Sequence, residues 1–310
     1  MKKEQIISLI LAAMIITGST TVVASASEPL LNEAAVSDTY SFENNRIVRN
    51  YLALKGIPSK DTGNYQRPTV VIAGKTLAVK GIVINGRAYL PFRAAANSLG
   101  ASYSYDSSTK TSVMKADGLV INAGAGCYTV YANDRALFSE TPVVIMNDGR
   151  MYIPASIFAK AVGMRLVEDG ATIRLEGKYS PLAHASRFYR EDEVFWLARI
   201  IHAESRGEPL FGKIAVGDVV LNRVTSSSYP NTIYSVIFDR KYGVQFSPIL
   251  DGSIYNTPDF NSILAAKICL EGYNISREAL FFLEPSHSTS SWIPQNREYL
   301  FTIGNHDFYK

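Results

Sequence analysis

The chain has 310 residues, with 31 basic and 28 acidic side chains and a formal net charge of +3. This length exceeds one average domain, so we expect two domains, and so small a positive excess without a basic run argues against a nucleic-acid-binding protein. Cys127 and Cys269 lack the C-x-x-C spacing of a zinc ribbon and fall in what are predicted below to be separate domains, so we expect no disulfide between them.

Residues 1–26 have the pattern of a secretory signal peptide. Two lysines precede an apolar run from Ile6 to Ile16, and an Ala-Ser-Ala cleavage site ends at Ala26. The apolar run is too short to span a bilayer well, and an uncleaved anchor is the alternative. We therefore expect a secreted protein with no membrane span after cleavage. Residues 27–67 are polar and predict a linker with at most one short helix.

The next part of the chain, residues 68–177, contains an internal repeat. The segment Asn85–Pro91 aligns with Asp148–Pro154, and the match continues to Gly100 and Gly163. Each copy predicts a hairpin turn at Asn-Gly or Asp-Gly, a short strand ending at Pro, a helix closed by Gly, and a further strand. The apolar helix positions are Phe92, Ala95, Ala96 and Leu99 in one copy and Ile157, Phe158 and Ala161 in the other.

This repeated motif resembles the copper amine oxidase N-terminal-like module, a two-copy α+β stalk of secreted bacterial proteins. The resemblance implies a stalk that acts as a spacer or associates with the cell wall, and the alternative is a rigid pedestal that binds nothing. These residues contain no copper-ligand set, so we expect no metal here. A connector, residues 178–189, leads to the C-terminal part.

The segment Glu191–Val224 predicts two helices separated by a break at residues 206–209, because Gly is a common helix stop and Pro fits the first turn of a helix. The first helix is apolar over most of its surface, which predicts that it is buried. Its last turn carries Glu204. Burial or a nearby like charge raises the pKa of a carboxyl, as a general acid near neutral pH requires, and Glu208 lies four residues on. The alternative is that both are solvated acids at a helix end.

The remaining segments predict a loop, a third helix and short strands. Asn222, near the end of the second helix, either hydrogen-bonds backbone in a cleft or caps the helix. Residues 226–257 predict a long loop that lines a substrate groove. Thr257 as N-cap predicts a helix that stops at Gly272, and residues 279–310 predict short strands that pair near the cleft. Aromatic residues that could stack on sugars are Tyr229, Tyr234, Tyr242, Phe246 and Tyr255.

Several short motifs follow one another along the chain between Arg190 and Lys310. They comprise Leu197, Ala198, Arg199, Ile200, Glu204, Gly207 and Glu208, then Ala215, Val216, Val219, Asn222, Arg223 and Val224, then Gln245, Phe246 and Ser247, and finally His306 and Phe308. Their order and spacing resemble the SleB-type cell wall hydrolases, the spore cortex-lytic and germination-specific peptidoglycan hydrolases. Ser205 stands where this family more usually has Ala, although Glu followed by Ser also marks the acid of several lytic transglycosylases.

The resemblance implies a catalytic domain at residues 190–310 that is mainly helical and similar to lysozyme and lytic transglycosylases, with a small β element. The expected fold class is therefore α+β with two domains, the stalk module and this catalytic domain.

By the same resemblance, the enzyme is expected to cleave the glycan strand of peptidoglycan between N-acetylmuramic acid and N-acetylglucosamine. A lytic transglycosylase needs one protein carboxyl, since its nucleophile is the C6 hydroxyl of the substrate. Glu204 is expected to protonate the bridging oxygen and then accept the hydroxyl proton, which leaves a 1,6-anhydro end. The residues expected to bind or support the substrate are Ser205, Glu208, Asn222, Gln245, Phe246, Ser247 and His306. No metal or cofactor is expected.

Three alternatives remain open from the sequence. Water could attack the same bond, as in a muramidase, with Glu208 or another acid as base. His202, His287 and His306 could hold zinc in an amidase, although no clear second motif supplies ligands. The third is a non-catalytic wall-binding protein, against which the intact Glu204, Gly207 and Glu208 argue. The expected partner is peptidoglycan, in the cell wall or spore cortex of a Gram-positive-type bacterium.

Overall fold

The computed structural model describes residues 65–241, 243–288 and 291–310. The predicted signal peptide, residues 1–26, and nearly all of the predicted linker, residues 27–67, lie outside the described residues. Within the described ranges, none of the helices combines the length and the apolarity that crossing a membrane requires.

Residues 69–176 form an N-terminal module of short strands and two helices. Its strands are β1 Thr69–Ile72, β2 Lys75–Thr76, β3 Ile82–Ile84, β4 Arg87–Pro91, β5 Ser102–Asp106, β6 Thr111–Ala116, β7 Leu119–Gly124, β8 Thr129–Ala132, β9 Arg135–Phe138, β10 Val144–Ile145, β11 Met151–Pro154, β12 Arg165–Glu168 and β13 Thr172–Glu176. Its helices are α1 Phe92–Ser98 and α2 Ala155–Val162. The strands lie in the order β12-β13-β1-β2 in one sheet, β10-β11-β4-β3 in a second and β5-β6-β7-β8-β9 in a third.

The internal repeat is visible in this module. In each copy a strand that ends at proline, β4 or β11, leads directly into a helix, α1 or α2. The turn before β4 contains Asn85 and Gly86, whose φ angles of 48° and 73° are the left-handed values that Asn-Gly hairpin turns adopt. The two strands pair antiparallel, and the rings of Phe92 and Phe158 pack edge to face with their centres 6.1 Å apart. Both copies therefore contain the predicted strand that ends at proline and leads into a helix.

The predicted connector, residues 178–189, is an ordered part of the molecule. It contains a short helix, α3 Ala185–Phe188. The hydroxyl of Tyr189 donates to Glu271 Oε1 at 2.8 Å and accepts a hydrogen bond from the Ala136 N–H at 3.1 Å. These bonds attach the segment to the strands before it and to the helical domain after it.

The C-terminal domain consists of helices and one small sheet. Its helices are α4 Glu191–Ser205, α5 Leu210–Thr225, α6 Ile233–Ile237, α7 Pro248–Asp251, α8 Phe260–Leu270 and α9 Trp292–Asn296, with a 3₁₀ turn at Ser253–Tyr255. Its strands, β14 Phe281–Leu283, β15 Tyr299–Ile303 and β16 His306–Tyr309, pair antiparallel in the order β14-β16-β15. Helices α4, α5 and α8 pack on one another around a core that includes Leu197, Ile201, Ile214, Val219 and Leu264. The break between α4 and α5 lies at residues 206–209, as the sequence predicts.

The predicted start of the third long helix is wrong. Helix α8 begins at Phe260, and Asp259 rather than Thr257 is its N-cap, with Asp259 Oδ1 accepting the Ser262 N–H at 2.7 Å. A carboxylate is as good an N-cap as a hydroxyl, and here it is the one that reaches the free N–H groups of the first turn.

The predicted loop at residues 226–257 is also wrong in part, because it contains α6, α7 and the 3₁₀ turn. Helix α6 forms because the Thr232 hydroxyl caps it by accepting the Ser235 N–H at 3.1 Å, and because its apolar residues face the core. The short helix α7 and the 3₁₀ turn lie against α4.

The module and the C-terminal domain share a hydrophobic core. Phe138 of β9 packs edge to face against Phe211 and Tyr273, with ring centres 5.7 Å and 4.7 Å away. Beside this core, Arg135 of β9 and Glu271, just after α8, form a buried ion pair. The two parts therefore pack directly on each other.

Candidate active site

Glu204 lies in the last turn of α4, where the helix is most deeply packed. The neighbouring residues Ile200, Ile201 and Ser205 are buried, and Glu204 itself is only partly exposed. The pKa of Glu204 is raised to about 7, chiefly by burial and also by the negative charge of Asp251, while the positive charge of Arg223 acts in the opposite direction. A carboxyl with this pKa can both give and accept a proton near neutral pH, as an acid–base residue must.

The negative charge beside Glu204 comes from Asp251, the last residue of α7. Asp251 is exposed, and its Oδ1 accepts the Ser253 N–H at 2.8 Å. Hydrogen bonds from the side chain and backbone of Ser253 lower the pKa of Asp251, so this carboxylate is ionised at neutral pH. The sequence assigns the like charge to Glu208 instead, and that expectation is wrong.

Glu208 is hydrogen-bonded to the turn between β15 and β16. It is 8% exposed, its Oε2 accepts the Asn305 N–H at 3.1 Å, and its Oε1 accepts from Asn305 Nδ2 at 2.9 Å. A side chain at Gly304 would displace this carboxylate, since its Cβ would lie 1.6 Å from Glu208 Oε2. Because the helix breaks at Arg206–Pro209, the four-residue spacing does not bring the two glutamates onto one face. Glu208 therefore braces the hairpin.

Arg223, in the last turn of α5, supplies the positive charge near Glu204. It is 5% exposed, and its Nε donates to the Leu280 carbonyl oxygen at 2.8 Å. Its guanidinium carbon lies 5.1 Å from the ring centres of both Tyr229 and Phe246. From the sequence alone, Arg223 is only a member of a family motif, next to Asn222, and no role is predicted for it.

Three of the predicted site residues, Ser205, Asn222 and Phe246, are buried and make contacts within the domain. The Ser205 hydroxyl donates to the Ile201 carbonyl oxygen of the preceding turn. Asn222 Nδ2 donates to the Ser276 and Ala279 carbonyl oxygens at 2.8 Å each, so it fixes the loop before β14 and does not cap α5. The ring of Phe246 is 2% exposed and packs in the core.

The other predicted site residues lie in two places. Gln245 and Ser247 directly precede α7, and His306 begins β16. Gln245 is partly exposed, with its Nε2 donating to the Gly243 carbonyl oxygen at 3.2 Å, and Ser247 is exposed at the start of α7. His306 is 5% exposed and lies under the ring of Phe282, with its Nδ1 3.7 Å from Glu208 Oε1. Burial lowers the pKa of His306.

A buried lysine fixes the end of α4 that carries Glu204. Lys213 is 2% exposed, and its Nζ donates to the carbonyl oxygens of Ser205 and Arg206 at 2.9 Å and 3.1 Å and to Ser262 Oγ at 3.1 Å. The last carbonyl groups of a helix have no partner within it, and here an ammonium group supplies one. The sequence gives no signal for this role, because lysines are rarely buried.

The three histidines of the zinc alternative lie in different surroundings. His202 Nδ1 accepts the Asp259 N–H at 3.2 Å, His287 pairs with Glu284 at 2.8 Å, and His306 lies beside Glu208. Among residues 65–241, 243–288 and 291–310, no group of three or more His, Cys, Asp or Glu side chains is arranged to hold a metal ion.

Exposed aromatic side chains lie at two places in the C-terminal domain, beside Trp196 of α4 and beside Phe281 of β14. Tyr234 and Tyr255 are 52% and 64% exposed and pack against Trp196 of α4. Trp292 of α9 is 51% exposed and lies near Phe281, the next ring beside Arg223. Aromatic faces of this kind stack on sugar rings. Tyr242 lies outside the described residues.

Comparisons with known proteins match both parts of the chain. Residues 207–309 match the family model described as Cell Wall Hydrolase, and residues 71–176 match the Copper amine oxidase N-terminal domain. The first range begins three residues after Glu204.

Similar curated proteins include a spore cortex-lytic enzyme of Bacillus cereus, 38% identical over 122 residues, which are 39% of this chain and 46% of that protein. The spore cortex-lytic enzyme of Bacillus subtilis is 34% identical over 120 residues, 39% of this chain and 38% of that protein. The chain thus spans less than half the length of these relatives. A solved structure, the catalytic domain of the germination-specific lytic transglycosylase SleB from Bacillus anthracis, is 38% identical, with 39% of this chain and 97% of that chain covered and a TM-score of 0.36.

Proposed function

We propose that this chain, whose C-terminal domain belongs to the cell wall hydrolase family and follows a copper amine oxidase N-terminal domain, cleaves the glycan strands of peptidoglycan. The observation that carries the proposal is the partly buried Glu204, whose pKa burial raises to about 7. In a domain of this family, a carboxyl that is protonated near neutral pH is equipped to act as the general acid on a glycosidic bond.

The proposed reaction is that of a lytic transglycosylase. Glu204 donates its proton to the oxygen that bridges N-acetylmuramic acid and N-acetylglucosamine, and the bond from this oxygen to C1 of the muramic acid breaks. The C6 hydroxyl oxygen of the same sugar then bonds to C1, and its proton passes to the Glu204 carboxylate. The products contain a 1,6-anhydro ring, no water is consumed, and Glu204 is ready for another cycle.

Two features of the site support one protein carboxyl in this double role. Glu208 is held by Asn305 and is not available as a base. Asp251, which is ionised, favours the protonated form of Glu204. The same Asp251 favours a second candidate, hydrolysis, in which an exposed carboxylate near the acid activates water on the other face of the sugar.

Product mass separates these two reactions. Transglycosylation gives fragments with anhydro ends, each lighter by one water than the reducing-end fragment of hydrolysis. The purified protein is incubated with isolated peptidoglycan, and the soluble fragments are weighed by mass spectrometry. Anhydro fragments are expected, and fragments with only reducing ends would replace the proposed reaction by hydrolysis.

The role of Glu204 is tested with Glu204→Gln, which is nearly isosteric but cannot donate a proton. Glu191→Gln, at the exposed start of α4, is the matched control. We expect no fragments from the first variant and the parent rate from the second. Digestion by Glu204→Gln at the parent rate would show that another residue is the acid. A chelator control addresses the zinc amidase, since full activity in excess chelator is expected.

We further propose the spore cortex as substrate, because the similar curated proteins are named spore cortex-lytic enzymes. Parallel digestion of purified cortex and of vegetative wall tests this choice. Faster release of fragments from cortex is expected, whereas equal or faster digestion of vegetative wall contradicts the assignment. Secretion through cleavage after Ala26 is part of the same proposal and is tested by the N-terminal sequence of the mature protein.

The N-terminal module is proposed to hold the catalytic domain as a fixed spacer, because it is packed on that domain through Phe138 and Arg135. Association with the wall through this module is the alternative. A sedimentation assay with insoluble peptidoglycan decides between the two. It compares the Glu204→Gln protein with the same protein carrying further substitutions on the exposed face of the module. Unchanged sedimentation is expected for a spacer.

A further inference from the structure

A cleft with a volume of about 310 Å³ lies between the N-terminal module and the C-terminal domain. Tyr273, which follows α8, lines it from the C-terminal domain, and the other lining residues belong to the module. Glu204 is not among them. Cavities of this size at domain interfaces are frequent binding sites for small molecules. The polar lining residues that bear on its ligand are Arg87, Ser139, Glu140, Ser156, Glu168 and Tyr273.

Arg87, the first residue of β4, is the cation of this cleft. Its side chain is 63% exposed, and its Nη2 lies 3.4 Å from Glu140 Oε2, on a side chain that is 54% exposed. An exposed pair of this kind contributes little to stability, so Arg87 can exchange it for another anion at little cost. A carboxylate suits this role, because its two oxygens can accept two parallel hydrogen bonds from a guanidinium.

The second copy of the internal repeat contains an arginine at the equivalent position, Arg150, whose charge is already paired. Arg150 Nη1 donates to Asp148 Oδ2 at 3.0 Å, and the Arg150 N–H donates to Asp148 Oδ1 at 2.9 Å. In the first copy Asn85 occupies the position of Asp148, so no carboxylate lies two residues before Arg87. The charge of Arg150 is therefore neutralised within its own turn, whereas the charge of Arg87 is available to the cleft.

The cleft also contains two carboxylates. Glu168, the last residue of β12, is exposed and forms no ion pair within the described part of the chain. The Glu140 carboxylate is oriented by the Tyr273 hydroxyl, which donates to its Oε1 at 3.2 Å. A purely anionic ligand would meet these two carboxylates, and a purely cationic one would meet Arg87. A molecule that carries both charges can pair with both kinds of group.

Aromatic and hydroxyl side chains complete the lining. The rings of Phe138 and Tyr273 pack edge to face with their centres 4.7 Å apart, and they give the cleft apolar surface. Ser139 and Ser156 add hydroxyl groups, which can donate to a carboxylate. A ligand with an apolar side chain could therefore contact the rings while its charged groups pair with the ionised side chains of the cleft.

We propose that this cleft binds a zwitterionic amino acid with an apolar side chain, either free or in a short peptide with uncapped ends. The carboxylate of the ligand contacts Arg87, and its ammonium group contacts Glu140 and Glu168. Because the ligand contacts Tyr273 as well as the module, it links the two parts of the chain. The inference goes beyond the proposed function and does not depend on it.

Binding is measured on the purified full chain by ligand-observed NMR titration with leucine and with leucylleucine. The two differ in the separation of their charges, so the tighter binder distinguishes a free amino acid from a peptide. N-acetylleucine lacks the ammonium group and leucine amide lacks the carboxylate, and the same caps are compared on leucylleucine. We expect each capped ligand to bind at least about tenfold more weakly than its uncapped form.

Arg87→Met and Glu168→Gln each remove one charge from the cleft. Both side chains are exposed, so both variants are expected to fold, and thermal unfolding checks this. We expect each to bind the uncapped ligand at least about tenfold more weakly. Arg87→Met should also lose the preference for a free carboxylate, and Glu168→Gln should reduce the preference for a free ammonium group. Arg150→Met, which removes the equivalent arginine of the second copy, is the matched control and should bind like the parent.

Three results would overturn the inference. If the parent chain binds neither leucine nor leucylleucine, the cleft is not a site for such ligands. Equal binding of capped and uncapped ligands would show that the charges are not recognised. Unchanged binding in Arg87→Met and Glu168→Gln would place the ligand elsewhere. A chain that binds leucine as expected but releases no fragments from peptidoglycan would contradict only the proposed function, so the two failures are distinct.

Discussion

Arg135 of the N-terminal module and Glu271 of the C-terminal domain form a bidentate ion pair, with 2.7 Å between Nε and Oε1 and 2.9 Å between Nη2 and Oε2. Both side chains are almost fully buried, at 7% and 2% exposure. Glu271 also accepts from the Tyr189 hydroxyl and lies 2.9 Å from Lys160 Nζ. A single carboxylate is thus held by β9, the connector and α2, and it links the three.

We expect Glu271→Ala to lower the free energy of unfolding by roughly 3–5 kcal/mol, because it leaves the buried guanidinium of Arg135 unpaired. Glu176→Ala, which breaks the exposed pair with Arg165, is the matched control and should cost less than about 1 kcal/mol. Urea denaturation followed by fluorescence measures both. Equal losses in the two variants would mean that the interface pair adds no more than a surface pair.

The Glu271 carboxylate should also make the stability of the fold sensitive to acid. Burial alone would raise the pKa of Glu271, but hydrogen bonds from Arg135 and Lys160 outweigh burial and lower it below its usual 4.5. Its contribution to stability is therefore complete above pH 4.5 and is lost as pH falls through the lowered pKa. The midpoint of unfolding should fall more steeply with acid in the parent than in Glu271→Gln. Parallel curves would contradict this.

The acid at the candidate active site should make the fold less stable at high pH. The pKa of Glu204 is raised from 4.5 to about 7, so folding loses stability as pH rises through this range. Glu204→Gln avoids the buried charge and should be more stable than the parent at pH 9 by on the order of 2–3 kcal/mol, with no difference near pH 4. Thermal unfolding at both pH values measures the effect. Glu191→Gln, at an exposed position, should show no such dependence.

Gly304 should tolerate no side chain. In Gly304→Ala the new Cβ would lie 1.6 Å from Glu208 Oε2, and φ is +61°, so the substitution adds a clash to backbone strain. Gly170→Ala is the matched control, because its φ is +82° but nothing lies within 4 Å. We expect the control to lose about 1 kcal/mol and Gly304→Ala to lose 1–3 kcal/mol more. Equal losses in denaturant unfolding would show that Glu208 moves freely.

Lys213→Met should weaken both stability and turnover. The carbonyl oxygens of Ser205 and Arg206 would lose their buried donor, at about 1–3 kcal/mol for each unpaired group. Because these carbonyls end the helix that carries Glu204, fragment release should slow even where the variant is folded. Lys75→Met, at an exposed position of β2, controls for the loss of charge. Full activity in folded Lys213→Met would show that the helix end is fixed by other contacts.

Much of the fold could be predicted because its signals are local. The apolar periodicity around Glu204, the Gly and Pro between α4 and α5, and the repeated Asn-Gly or Asp-Gly turns all act within a few residues. The β-strands of the small sheet were also predictable, since Phe281–Leu283 and His306–Tyr309 are dense in aromatic residues.

The electrostatic surroundings of Glu204 could not be predicted, because they depend on tertiary contacts. The Glu208 carboxylate accepts a hydrogen bond from Asn305, which is 97 residues away in sequence. The charges of Asp251 and Arg223, on two other helices, act on the pKa of Glu204, and nothing in their local sequence indicates this. The sequence spacing suggested Glu208 as the charged neighbour of Glu204, whereas in the folded protein the charges that act on Glu204 belong to Asp251 and Arg223.

The parallel pairing of β1 with β13 places the first and last strands of the N-terminal module side by side, with Thr69 opposite Thr172. The chain consequently enters and leaves the module within about 13 Å, the length of one four-residue strand. A module whose first and last residues lie so close together can be joined to many kinds of domain during evolution without distorting the linking segments.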